Sequence, residues 1–267
     1  MTRVGRDGFM GSAGAGSRPG AQEMSAVHYA KRTRLSARLR LGEKPWIIGC
    51  VATESRLRAC ARKAPADCDW LEVRLDLTGL CKGKWLEWCA AAQARGRPVL
   101  LTIRDSREGG KWKGREADRL ALVLEALPVV AGVDMEIGAH ALMTVAKAAR
   151  LCGTQVVGSF HDFKGTPDAK TLRAVEMRGR QMGADVVKIA AKVCSGADLA
   201  RLMALPAQAR GPLCVLGMGA RGAVSRVALP CAGSCLAYGA LDAATAPGQL
   251  SCRELARELA RWGVRKR

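Results

Sequence analysis

A lysine and a histidine occupy apolar segments of the chain, where ionisable side chains are uncommon. Lys188 lies between Val187 and Ile189 in ADVVKIAA, and His161 ends the apolar run in QVVGSFHD. A lysine in such a segment must be paired with a carboxylate or be neutral, because burial disfavours its charged form. A neutral amine can attack a ketone to form an imine, and an imidazole can move protons near neutral pH. The two residues indicate imine chemistry with a proton shuttle; a core ion pair is the competing interpretation of Lys188.

Other polar side chains recur at alternate positions of neighbouring apolar segments, so the members of each set share one face of a strand. The sets are Glu72, Arg74 and Asp76 in LEVRLD, Thr102 and Arg104 in LLTIR, Asp134 and Glu136 in VDMEI, and Ser159 and His161 in GSFHD. Any one of these residues is best explained as a structural partner, because a buried charge is costly unless it is paired. Convergent polar groups from several strands instead indicate a functional site. We expect Asp134 and Glu136 to support Arg74 and Lys188 rather than to react.

The segments that carry these residues alternate with helical patterns. Eight apolar, strand-like runs follow one another from residue 46 onward, and stretches with 3.6-residue periodicity separate most of them. This alternation predicts parallel β-α-β units. A doubly wound sheet usually has a glycine-rich phosphate loop after its first strand, whereas ATESRLRA contains no glycine. We therefore predict a single (β/α)8 TIM barrel, with its chemistry at the carboxyl ends of the strands.

Composition divides the chain into two regions. Residues 1–45 are basic and rich in glycine and serine, which predicts a largely disordered arm. Residues 46–267 form the predicted catalytic barrel. No secretory signal and no run long enough to span a membrane is apparent, so we expect a cytoplasmic protein. The 11 cysteines include no C-x-x-C pair, which argues against a disulfide framework and a zinc site.

The net charge of +19 raises nucleic acids and anionic membranes as partners. Aromatic residues make up only 4% of the chain, so surfaces for stacking bases are scarce, and no nucleic-acid-binding motif is present. We expect no specific nucleic acid and no membrane among the partners. A small anionic substrate fits the positive charge, and the sequence leaves a homodimer open.

Six ordered motifs give the chain a resemblance to a known family. They are LEVRLDL, TIRDSREGG, SFHDF followed by TP, ADVVKIA, GMGARGAVSR and YGALDAATAPGQL. Together, over about residues 46–262, they resemble the type I 3-dehydroquinate dehydratases of the shikimate pathway. The resemblance implies a (β/α)8 barrel that dehydrates 3-dehydroquinate to 3-dehydroshikimate through an imine. It also implies that no metal and no other cofactor takes part.

The resemblance further implies roles for individual residues. Lys188 matches the imine-forming lysine, His161 the proton shuttle, and Glu108 a carboxylate that orients the histidine and favours its charged form. The implied substrate-binding residues are Glu72, Arg74, Arg104, Met218, Arg226, Thr245 and Gln249. Among these, Arg226 matches the arginine that holds the substrate carboxylate.

Three residues depart from the family's usual pattern. Val73 replaces an aromatic residue, Tyr238 replaces phenylalanine, and Thr245 replaces serine in the lid segment. None of these changes removes a group that the chemistry requires.

Two functions from other classes remain alternatives. A class I aldolase would share the fold and the imine lysine but would lack the SFHDF and TAPGQ motifs, and aldol substrates would distinguish it. A catalytically silent, basic binding protein would bind phosphate groups in a strongly salt-dependent way.

Overall fold

Eight parallel β-strands form a nearly closed barrel in the computed structural model, which describes residues 45–242 and 248–265. The strands are β1 (Trp46–Val51), β2 (Trp70–Arg74), β3 (Val99–Thr102), β4 (Gly132–Glu136), β5 (Gln155–Asp162), β6 (Val186–Lys192), β7 (Leu213–Met218) and β8 (Leu236–Ala240). Neighbouring strands follow the order β7-β6-β5-β4-β3-β2-β1-β8. Between β7 and β8, the backbone N–H of Cys235 donates to the carbonyl of Leu213 at 2.9 Å. This architecture confirms the predicted (β/α)8 fold.

Helices connect the strands and cover the outer face of the barrel. They are α1 (Glu54–Arg62), α2 (Leu75–Thr78), α3 (Trp85–Ala94), α4 (Glu116–Ala126), α5 (Leu142–Cys152), α6 (Ala169–Gln181), α7 (Gly196–Gln208), α8 (Ser225–Cys231) and α9 (Cys252–Arg261). Their apolar residues pack with the outward-facing strand residues in one buried layer.

Side-chain caps fix where several helices begin. The hydroxyl of Thr53 accepts a hydrogen bond from a backbone N–H in the first turn of α1. Ser195 and Ser251 form reciprocal capping boxes with Asp198 and Glu254 at the starts of α7 and α9. These caps define the ends of the loops that follow β6 and β8.

The segment after β2 differs from the prediction. LEVRLDL was expected to continue as a strand through Asp76, but β2 ends at Arg74 and the next four residues form the helical turn α2. Gly79 ends that turn with φ 71°, a left-handed conformation that favours glycine. Asp76 therefore does not share a strand face with Glu72, although it remains within reach of Arg74.

Apolar and charged residues divide the barrel interior. Towards the amino-terminal ends of the strands the interior is filled by a second buried cluster that includes Trp46, Ile48, Trp70, Leu100, Val157, Val186, Cys214 and Leu236. Two residues further along β2 and β6, the inward-facing side chains are Glu72 and Lys188. The barrel interior is thus apolar towards the amino-terminal ends of the strands and charged towards their carboxyl ends.

Residues 1–44 lie outside the described residues, and with them nearly all of the predicted basic arm. The first strand begins at Trp46, next to the predicted boundary. Within residues 45–242 and 248–265, no helix has both the length and the apolar character needed to cross a membrane.

Candidate active site

Six buried charged residues meet inside the upper part of the barrel. They are Glu72, Arg104, Arg119, Asp134, Glu136 and Lys188, and we call them the buried ion cluster; each is at most 5% exposed. Five of them come from β2 to β6 or the residues just after, and Arg119 reaches in from α4. Three carboxylates face three cations, so the charges of the cluster balance.

The amine of Lys188 is enclosed on three sides. Its Nζ lies 3.2 Å from Oδ2 of Asp134 and 3.6 Å from Oε1 of Glu72. The ring of Tyr238 forms the third side, with its centroid 4.2 Å from Nζ. A cation over an aromatic face is stabilised electrostatically. The core ion pair considered for Lys188 is therefore present, and it holds the amine at a defined point in the barrel.

Arg104 links the strands beside this lysine. Its Nη2 donates to Oδ1 of Asp134 at 2.6 Å, and its Nη1 donates to Glu136 at 3.0 Å and to Ser159 at 2.6 Å. Burial would raise the pKa of Asp134, but the charges of Arg104 and Lys188 outweigh it and hold that pKa well below its usual range. Asp134 is thus a fixed negative charge next to the amine.

His161 and Glu108 form a hydrogen-bonded pair at the mouth of the barrel. The Nδ1 atom of His161 lies 2.9 Å from Oε2 of Glu108, and the backbone N–H of His161 donates to the same oxygen at 3.1 Å. In the ladder between β5 and β6, Ser159 pairs with Lys188 and His161 pairs with Ala190. The imidazole therefore lies one inward-facing position above the lysine, with Nε2 left free of Glu108.

Burial shifts the pKa values of the two members of this pair in opposite directions. Burial raises the pKa of Glu108 to about 7. Burial, together with the positive charges of Arg104 and Lys188, holds the pKa of His161 well below its usual range. The resting imidazole is therefore neutral, and a proton added to the pair is shared through the contact between Nδ1 and Oε2. Such a pair suits a base that must later act as an acid.

Arg226 is a buried cation outside the ion cluster. It lies near the start of α8 and is 7% exposed. Among the described residues its Nε atom has no hydrogen-bond partner, and no carboxylate forms an ion pair with it. Burial lowers its pKa. A buried guanidinium with an unused donor is suited to bind an anion such as a carboxylate.

The remaining predicted substrate-binding residues occupy different positions around the mouth. Arg74 donates two hydrogen bonds to Asp76, at 3.0 and 2.9 Å, rather than to Asp134 or Glu136 as expected. Met218 ends β7, opposite Lys192 of β6.

Two further candidates belong to the segment between β8 and α9. Gln249 lies, partly exposed, in the described part of that segment, just before α9. Thr245 lies outside the described residues.

Comparison with known proteins decides the family. The model of the type I 3-dehydroquinase family matches residues 50–263, which is most of the chain. The chain belongs to the type I 3-dehydroquinase family. It is an enzyme of the shikimate pathway with 3-dehydroquinate dehydratase activity, as the motifs predicted.

Relatives and solved structures agree with this membership. The chain is 35% identical over 228 residues to a 3-dehydroquinate dehydratase of Methanosarcina barkeri, an alignment that covers 80% of this chain and 93% of the relative. It superimposes with a TM-score of 0.75 on the 3-dehydroquinate dehydratase of Geobacillus kaustophilus, at 27% identity, covering 84% of this chain and 93% of that one. The type I enzyme of Clostridium difficile with covalently modified comenic acid also gives 0.75, at 26% identity, covering 83% of this chain and 93% of that one.

Within this type I 3-dehydroquinase, Arg119 is the polar residue that sequence reasoning missed. Its Nη1 donates to Oε2 of Glu136 at 2.5 Å and to the carbonyl of Ile103 at 3.0 Å, and its other nitrogens donate to Glu116. The segment EADRLALVLEAL has the pattern of an amphipathic surface helix, in which an arginine is expected to be solvated. No signal in that pattern distinguishes an arginine that turns inward.

The described part of the chain contains no group of three or more histidine, cysteine, aspartate or glutamate side chains arranged to hold a metal ion. The prediction that the enzyme uses no cofactor stays a prediction.

Proposed function

We propose that Lys188 forms the imine with the C3 ketone of 3-dehydroquinate and that the His161–Glu108 pair moves the protons of the elimination. Asp134 and Glu72 lie beside Nζ. They stabilise a positive charge at that atom whether it belongs to the ammonium or to the protonated imine. The cluster therefore needs no rearrangement when the lysine becomes covalently bound.

In the proposed elimination, Nε2 of His161 removes a proton from C2 of the imine. The electrons of the C–H bond move into the protonated imine and give a neutral enamine. The enamine electrons then expel the C1 hydroxyl, which takes the proton from Nε2 and leaves as water. The product is a conjugated protonated imine, and its hydrolysis releases 3-dehydroshikimate and regenerates Lys188.

Glu108 supports both halves of this cycle. Its Oε2 lies 2.9 Å from Nδ1, so it can bind the Nδ1–H of a neutral ring and leave Nε2 as the base. When the ring gains a second proton, the same carboxylate stabilises the imidazolium. Because the hydrogen bond is already in place, little reorganisation accompanies proton transfer.

Arg226 is proposed to hold the substrate carboxylate. A guanidinium can bind a carboxylate through two parallel hydrogen bonds, which fixes orientation as well as position. Its Nε has no partner among the described residues, unlike the donors of Arg104 and Arg119. Met218 and Gln249 are proposed to contact the rest of the substrate, together with Thr245, Glu72, Arg74 and Arg104.

The observation that carries this proposal is the position of the buried Lys188 amine between two carboxylates, one inward-facing position below a neutral histidine. Borohydride reduction in the presence of substrate or product should leave a stable adduct on Lys188. Lys192 is a matched control, because it faces the same side of β6 but is exposed. Mass spectrometry that finds the adduct on Lys192, or finds none, would contradict the assignment.

We further propose that the enzyme acts in the cytoplasm as a homodimer and binds no specific nucleic acid. Size-exclusion chromatography with light scattering tests the dimer. Filter binding at two salt concentrations tests the nucleic acid, because binding to phosphates weakens steeply with salt.

A further inference from the structure

A cavity of about 170 Å³ with charged side chains in its wall lies on the side of Glu108 away from His161. It is lined by Asp105, Arg107, Glu108, Arg119, Glu136, Gly138 and Ala139. The Oε2 atom of Glu108 faces His161, whereas a methyl group built on Gly138 would meet only Oε1 of Glu108, at 4.0 Å. The two oxygens of one carboxyl group therefore face the catalytic histidine and the cavity.

The two arginines in the cavity wall bind carboxylates other than that of Glu108. Arg107 donates two hydrogen bonds to Asp105, at 2.9 and 3.0 Å. Arg119 binds Glu116 and Glu136. Both recorded hydrogen bonds of Glu108 in the described structure go to Oε2. What remains next to Oε1 is the cavity itself, and the side chain is 21% exposed although its partner histidine is only 10% exposed.

We propose that this cavity is filled with water that solvates Oε1 of Glu108, and that Gly138 keeps it open so that the His161–Glu108 pair becomes a base at the working pH. The inference rests on the proposed roles of those two residues. A cavity of this size admits several water molecules, and the charged side chains in its wall offer them hydrogen-bond partners. Gly138 is exposed, so the cavity opens to solvent at that point.

The charges around Glu108 fix the direction of the effect. The charged and titratable groups that face it are Arg104 after β3, Asp134 and Glu136 on β4, His161 on β5, Arg119 on α4, and Asp105 and Arg107 on its own turn. Burial raises the pKa of Glu108 against the lowering effect of Arg104. Removing water from Oε1 disfavours the carboxylate further and raises the pKa again. A raised pKa means that at a given pH more of the pair carries its extra proton and less of it is available as a base.

Substitution of Gly138 tests this inference. Gly138→Leu places a branched side chain between Oε1 and bulk water. The acid limb of the kcat/KM profile for enone formation should move upward by about 0.5–1 pH unit, the scale of a partial desolvation. Above the limb, kcat/KM should return to within about twofold of wild type, because the base itself is intact. Gly196→Leu is the matched control: Gly196 also has open space around its Cβ position, lies at the start of α7, and should leave the limb where it is.

Two further variants make the result decisive. Gly138→Ala adds a methyl at ordinary contact distance from Oε1, so it should fold normally and shift the limb in the same direction by less. In a Glu108→Gln background, Gly138→Leu should shift nothing, because the carboxylate that the cavity solvates is gone. Borohydride trapping on Lys188 is measured for each variant, so a failure of the imine assignment is seen separately.

The proposal is overturned if folded Gly138→Leu and Gly138→Ala give acid limbs that coincide with wild type while the adduct on Lys188 still forms. It is equally overturned if kcat/KM falls by the same factor at every pH, since that result would indicate steric damage rather than a change in solvation. A shift that persists in the Glu108→Gln background would also contradict it.

Discussion

Replacing Glu108 with glutamine tests how the proposed base is built. Glutamine keeps the size of the side chain, and its carbonyl oxygen can still accept hydrogen bonds from His161; only the charge is lost. The bond from the backbone N–H is the same before and after proton transfer, so it cancels. The contact between Oε2 of Glu108 and Nδ1 of His161, at 2.9 Å, strengthens when the ring becomes positive. This contact therefore determines the effect of the substitution on the rate.

The size of the effect follows from that one contact. A hydrogen bond to a charged group contributes about 1.5–3 kcal/mol, against about 0.5–1.5 kcal/mol for a neutral one. The difference of about 1–1.5 kcal/mol corresponds to a loss of about 5- to 13-fold in kcat. The acid limb should also move to lower pH. The carboxyl group that titrates near pH 7 is then absent, and the remaining base is His161, whose pKa lies well below its usual range.

The assay is the rise in ultraviolet absorbance of the conjugated enone, followed across pH. Glu125→Gln, on the exposed face of α4, is the control for loss of one carboxylate and should match wild type. An acid limb that stays in place, or a kcat that falls less than twofold, would refute the idea that Glu108 and His161 share the working proton.

Five other perturbations have defined outcomes. His161→Ala should still give the borohydride adduct on Lys188 while turnover falls by about 10²–10⁴-fold. Lys188→Ala should lose both the adduct and turnover. Near wild-type turnover in His161→Ala would show that another residue is the base. Arg226→Lys keeps the positive charge but loses the planar pair of donors that can bind a carboxylate through two hydrogen bonds, so substrate binding should weaken by about 1–3 kcal/mol. An unchanged KM would show that another group binds the substrate carboxylate. Removal of residues 1–34 should leave activity near wild type, and failure of the truncated chain to fold would make the arm part of the barrel. Tyr238→Phe keeps the aromatic ring next to Nζ of Lys188 and removes a hydroxyl that has no hydrogen-bond partner in the described structure. The melting temperature should therefore not fall, and a clear decrease would show that the hydroxyl does form a hydrogen bond.

The fold could be predicted from the sequence because strand and helix patterns alternate with little ambiguity. The short helices α2 and α8, of four and seven residues, have no helical pattern in the sequence. So few residues give no measurable 3.6-residue period, and Pro230 inside α8 also argues against a helix. Short elements of this kind are set by tertiary contacts rather than by local pattern.

The positions of the buried charges were also predictable, because charged residues interrupt otherwise apolar strands. Their pairing was predicted only in part: Asp134 binds Lys188 as expected, but the partner of Arg74 differs. Arg74 binds Asp76 rather than Asp134 or Glu136, since a helical turn begins one residue after the arginine and brings Asp76 back towards it. The neutral state of His161 could not be predicted either, because it depends on burial and on cations from other strands. Both facts are properties of the assembled barrel.

The buried ion cluster constrains how this sequence can diverge. Its three cations balance its three carboxylates, so a substitution that removes one charge leaves the cluster with an uncompensated net charge in the barrel interior. Such a loss costs about 3–5 kcal/mol, a large part of the roughly 5–15 kcal/mol that keeps a domain folded. The free-energy effects of substitutions at residues in direct contact are not additive. Surface residues can therefore be exchanged singly during evolution, whereas Arg104 with Asp134, and Arg119 with Glu136, should be inherited or replaced as linked pairs.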